Sequence, residues 1–198
     1  FQQIFDTLET AGASLGFAGS VHTVSFGGRC LVEDLPMLLE LLGEVLTQPA
    51  FPPDQVERLR VQHLTSLAIR AQDTAEMASL VFDETLFDNH PYGKPEDGYP
   101  HTIQNIRHED MLDFHHRYYS PAGIVLAVVG GIEPAQVADW VNHHLGCWQN
   151  QTNLPEVDFP GLKPPTRDIR RHVSIDGKSQ CDLVVGTFGP RRADPDFF

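Results

Sequence analysis

Ten histidines and 27 Asp and Glu residues stand in a chain of 198, so metal ligation and acid/base chemistry are the first possibilities its residue types raise. Zinc ligation needs donors at a spacing that brings them together, and no H-x-x-E-H, H-E-x-x-H or His-x-x-x-His occurs. Glu109, Asp113 and His116 fall at i, i+4 and i+7 and share a helix face, which a solvated acidic face explains without a metal. In His115-His116 and His143-His144 the two rings point about 100° apart on a helix, so each pair sends one ring inward and one outward instead of chelating. His63 lies on an apolar stripe, the setting of a hydrogen-bonded core histidine. Ser14, Ser20, Ser25, Ser66, Ser120 and Ser174 lack the G-x-S-x-G setting of a nucleophile elbow. Gly12, Gly16 and Gly19 do not form a phosphate-cradling loop that opens a helix. The residues therefore offer no self-contained catalytic set: no catalytic and no metal-binding residue is assigned, and substrate-binding residues stay undefined.

The elements that would position any site follow from periodicity. Phe1, Phe5 and Leu8 predict an opening amphipathic helix with Gly12 as a left-handed stop. Leu15 to Phe26, punctuated by Gly19-Ser20, predicts a hairpin with one buried face. From Asp34 the period becomes 3.6, and Leu35, Leu38, Leu39, Leu42, Val45 and Leu46 form one stripe. Pro52-Pro53 opens a second helix with Val56, Leu59, His63 and Leu67 on its stripe, and a third begins at Thr74. Residues 87 to 103 carry too many Gly and Pro for a regular element. A helix near His108 buries Met111, Leu112, His115 and Tyr119, and Pro134 to Leu145 buries Val137, Trp140, Val141 and His144. The run Ile124 to Val129 is expected as a buried strand, with further strands at Arg171 to Ile175 and Asp182 to Phe188 around Asp176-Gly177.

These elements predict an α+β fold, a mixed, mostly antiparallel sheet covered by helices on one face. Residues 1–148 are expected as one domain, 149–168 as a Pro-rich linker and 169–198 as the start of a second, truncated unit. A net charge of −13 is the wrong sign for nucleic acid, and the longest apolar run has six residues where a spanning helix needs about 20. No nucleic-acid partner and no membrane span are expected. Phe1 begins in mid-helix pattern, so the chain reads as an excerpt of something longer. Cys30, Cys147 and Cys181 form no C-x-x-C pair and are expected as reduced core thiols, which favours a cytoplasmic over a periplasmic setting.

Several stretches in combination resemble the insulinase and pitrilysin family of zinc metallopeptidases, which includes the mitochondrial processing peptidases. They are Leu8-Glu-Thr-Ala-Gly-Ala13, Leu31-Val-Glu-Asp-Leu35 with Leu38 to Leu46, Pro49-Ala-Phe51, Val56-Glu-Arg58 and His90-Pro-Tyr-Gly93 with Gly98. The likeness continues through Asp113-Phe-His115 with Tyr119-Ser-Pro121, Ala127-Val-Val-Gly130 and Leu145-Gly146 with Trp148.

The resemblance implies two homologous halves that close around an unfolded peptide, only one of them catalytic. In the catalytic half an H-x-x-E-H motif supplies two His ligands and a Glu base, and a distant Glu completes the zinc site. That motif would precede Phe1. The distant Glu belongs on the helix after Val56-Glu-Arg58, where this sequence has Ser66 and no acid between Arg58 and Gln72. The chain therefore resembles the non-catalytic half, inactive by itself, with no cofactor of its own and zinc expected in the catalytic half. Its implied partners are the catalytic half of the same protein or a homologous subunit, and an unfolded peptide substrate. Two alternatives remain open on the sequence. One is a competent half that uses an upstream H-x-x-E-H and a substitute ligand such as Asp73 or Glu76. The other is a non-proteolytic assembly subunit of the same fold.

Overall fold

A computed structural model describes residues 2–149, 159–192 and 194–197. Its elements in chain order are α1 (Gln2–Thr10), β1 (Ser14–Gly19), β2 (Val24–Arg29), α2 (Leu35–Thr47), α3 (Pro53–Arg70), α4 (Thr74–Leu86), α5 (Pro100–Asn105), α6 (His108–Tyr118) and α7 (Pro134–Leu145). The fold is α+β, rich in helix, with a small two-stranded antiparallel sheet among the described residues. By packing the chain divides into two units, Phe1–Pro53 with Arg107–Glu156, and Asp54–Ile106 with Val157–Phe198.

The first unit holds the better-formed core. The α2 stripe delivers Leu35, Leu39, Leu42 and Leu46 to its centre, each 9% exposed or less. Leu15 and Phe26 of the hairpin, Tyr119, Leu126, and Val137, Trp140, Val141 and Leu145 of α7 pack around them. Gly43 lets α2 and α7 close up, because a Cβ there would stand 3.0 Å from the His144 carbonyl oxygen. α1 ends as its sequence predicts, with Gly12 left-handed at φ +59°. In the hairpin Phe17 lies opposite Phe26, with ring centroids 6.3 Å apart. Val137, Trp140, Val141 and His144 all turn to the half-buried side of α7, and Met111, Leu112, His115 and Tyr119 to that of α6 and its end, as expected.

In the second unit α3 buries Leu67, and the Asp73 carboxylate caps α4 by accepting from the N–H groups of Ala75 and Glu76 at 2.9 and 3.0 Å. His90 is buried at 6% exposed and its Nδ1 accepts from the Tyr92 N–H at 3.1 Å, holding a turn of 3-10 helix at Pro91–Gly93. Phe87 meets Phe188 edge-on at 5.4 Å, so 157–198 packs with helices that precede it by about 100 residues. The expected division placed 1–148 together and began a separate unit at 169, whereas the packing groups 54–106 with 157–198. Residues 150–158 of the expected linker lie outside the described residues.

Three strand expectations are corrected. Residues 124–129 make no ladder: Leu126 enters the core, but Val125 and Val129 are 90% and 97% exposed. Residues 171–175 and 182–188 likewise pair with no strand among the described residues, although a turn does form at Asp176-Gly177, with Gly177 at φ +76°. The cause is common to all three. An apolar run supplies β propensity, but a strand exists only where a partner backbone lies alongside. Leu59, expected on the buried stripe of α3, is 58% exposed, and the tail of the expected irregular stretch forms α5. Of the expected core thiols only Cys30 is half-buried, while Cys147 and Cys181 are exposed.

Candidate functional site

The register that would carry a distant zinc ligand lies in the middle of α3. Ser66 is exposed there, and its hydroxyl donates back to the Gln62 carbonyl at 3.2 Å. No carboxylate stands between Arg58 and Gln72 to replace it. A serine hydroxyl is a weak zinc donor beside a carboxylate, and no group of three His, Cys, Asp or Glu among the described residues could hold a metal ion. The residues present do not fit a zinc centre.

What α3 does instead is fasten one segment of the second unit. Arg60 Nη1 donates to the Ile103 carbonyl and Nη2 to that of Ile106 at 2.7 Å, while Nε pairs with Glu57 at 2.9 Å. His63 Nε2–H donates to the Asp97 carbonyl at 2.9 Å. Two turns on, Arg70 reaches the Gly98 carbonyl at 3.2 Å and the Asp97 carboxylate at 3.4 Å. Residues 60, 63, 67 and 70 follow helical spacing, so one face of α3 presents two guanidinium groups, an imidazole and Leu67. Guanidinium forks suit this task because each carries several fixed donors to satisfy carbonyls that no helix or strand accepts. From α4, Glu84 accepts the Tyr99 hydroxyl at 2.6 Å and fixes the start of α5.

The remaining histidines are structural or exposed. His115 Nε2–H donates to the Leu46 carbonyl at 2.8 Å, closing the end of α2, and its ring stacks on Tyr119 at 5.0 Å. Phe51, left-handed at φ +39°, sets its ring edge-on to His115. The His143 and His144 rings meet edge-on, with centroids 4.9 Å apart and planes at 88°. Glu109, Asp113 and His116 line an exposed side of α6, apart from a metal group.

Perturbed ionisation gives no catalytic pair. The hydrogen bond to Glu84, then burial, raises the Tyr99 phenol above its ordinary pKa. Burial, helped by Asp34, raises the Cys30 thiol, which keeps it protonated and a poor nucleophile or ligand. The exposed Asp54 is lowered by its hydrogen bond with Gln55.

Two open grooves remain. One of about 410 Å³ lies in the first unit between α2, the end of β2 and residues 125–132. The other, of about 490 Å³, lies in the second unit between α4 and residues 169–184. Neither groove leaves a signal in the sequence, because both depend on which segments meet. The arrangement is one of open, partly apolar grooves and clamped loops, with no three-residue metal-ligand group among the described residues.

Known proteins carry the same fold. Residues 105–198 match the family model described as "Peptidase M16 inactive domain". Cytochrome b-c1 complex subunit 1, mitochondrial, of Mus musculus is 27% identical over 96% of this chain and 39% of its own length. An uncharacterized zinc protease of Mycobacterium bovis is 27% identical over 72% of this chain and 33% of its own. Among solved structures, the peptidase M16 inactive domain from Pseudomonas fluorescens superposes with a TM-score of 0.74 at 23% identity, covering 82% of this chain and 39% of that one. Pitrilysin superposes at 0.68 and 22% identity, over 81% of this chain and 18% of its own. The chain thus spans about two fifths or less of the relatives it matches. Residues 105–198 resemble the M16 inactive domain, and the chain shares the fold of M16 proteins.

Proposed function

We propose that this chain forms part of the wall of a peptide-binding chamber and lends no chemical group to hydrolysis, the zinc and its base being supplied by a catalytic half of the same protein or by a homologous subunit. The observation that carries this reading is Ser66, solvent-facing and bonded to its own helix at the ligand register, with no acid between Arg58 and Gln72. Hydrolysis of this kind needs a metal to activate water and a carboxylate to move its proton. The chain's remaining assets are open grooves and exposed apolar side chains such as Val125, Val129, Leu183 and Val185, which suit it to gripping an unfolded peptide. The test mixes the separately produced catalytic half with this chain and follows cleavage of unfolded peptides. A several-fold or larger rise supports the reading; a catalytic half fully active alone and unchanged by the addition contradicts it.

A second reading, a non-proteolytic assembly subunit, is favoured by the likeness to subunit 1 of the cytochrome b-c1 complex, which runs over 96% of this chain. The mixing experiment separates the two, since an assembly subunit leaves cleavage unaltered.

A further inference from the structure

The arm formed by residues 169–184 carries Arg170, Arg171 and Lys178 against Asp176 and Asp182 in a chain of −13. This arm forms one side of the groove of about 490 Å³ in the second unit. Facing it, α4 contributes Met77, Val81 and Phe82, an apolar wall. The arm contributes Arg171, His172 and Lys178, all exposed, along with the apolar Val173 and Val184. Asp182 is the one carboxylate on the lining among the described residues, and it already accepts a hydrogen bond from the Thr74 hydroxyl. Next to it, Leu183 and Val185 are 85% and 83% exposed, and residues 182–185 form no ladder among the described residues.

An apolar wall and a rim carrying Arg171 and Lys178, with the only lining carboxylate among the described residues already bonded to Thr74, together describe one kind of occupant. The wall takes apolar side chains, and the rim rewards a carboxylate and penalises an ammonium. We infer that this groove seats an extended peptide segment in which acidic side chains flank apolar ones. The inference rests on the peptide-gripping reading above and deepens it by naming the sequence class that this chain selects. It runs against the gross charge: a −13 surface attracts basic peptides at long range, whereas contact at this groove favours acidic ones.

The test is fluorescence anisotropy with the full chain and two 12-residue unfolded peptides carrying a neutral dye. The peptides share their apolar residues and differ only in two Asp of one replaced by two Lys in the other. The Asp peptide is expected to bind about tenfold more tightly at low salt, two exposed charge contacts being the source, with the preference shrinking as salt rises. Arg171→Glu with Lys178→Glu reverses the preference, and Arg171→Gln with Lys178→Gln abolishes it. Both positions are exposed, so circular dichroism melts should report the variants folded. Equal binding of the two peptides, or a preference indifferent to these substitutions, overturns the inference and leaves peptide gripping standing. Binding of neither peptide overturns both.

Discussion

Ser66 stands in the middle of α3 at the position where the family resemblance would place a zinc-ligating carboxylate, and replacing it alone would not supply the other ligands. Ser66→Glu is expected to bind no stoichiometric zinc, because three converging protein ligands are required and the described residues supply no second donor set. Metal analysis of the variant checks this. At Tyr99 the phenol donates to Glu84, and its pKa is raised by that bond first and by burial second. The neutral form is the one the fold favours, so the increment is complete below the unfolded tyrosine value of about 10 and is lost as pH rises through the higher folded value. Tyr99→Phe is therefore expected to cost about 1 kcal/mol at pH 7, with a gap from the native protein that narrows above about pH 10. Urea unfolding at both pH values measures it. The family resemblance singled out Ser66, whereas nothing in the sequence marked the Arg60 and Arg70 clamp. Its acceptors are the carbonyls of 98, 103 and 106, which every residue type carries, so they leave no mark in the sequence.

At the scale of elements, α2 is where a substitution should hurt most. Leu39 is 3% exposed at the centre of the first unit's core, and Leu39→Ala is expected to cost about 2–5 kcal/mol. Leu59, also a helical leucine on an expected stripe, is 58% exposed, and Leu59→Ala should change stability by less than about 0.5 kcal/mol. Thermal melts of the pair distinguish a stripe that packs from one that does not. Helices were the legible part because their caps and periods are local: Asp73 before Thr74, Pro53 in the first turn, and a six-residue leucine and valine stripe in α2. The misread elements were those whose state depends on a distant partner. Ile124 to Val129 carries β propensity in every residue but Ala127, yet finds no ladder among the described residues. Leu59 obeys the α3 period, but the segment that α3 fastens lies against its Arg60, His63 and Arg70 face.

For the molecule as a whole, the partition into two units interleaved in sequence was not legible, since a linker was expected where Pro residues cluster and packing followed α4 and Phe87 instead. Net charge and the family resemblance were informative at this scale: the one set nucleic acid aside as a partner, and the other anticipated the match of residues 105–198 to the M16 inactive domain. The central claim, that the chain contributes grip and no chemistry, is tested most directly by zinc content and peptidase activity measured together on untagged protein. The predicted result is well below one zinc per chain and no cleavage of an unfolded fluorogenic peptide. About one zinc per chain, lost together with measurable cleavage when a single native histidine is replaced, would contradict it.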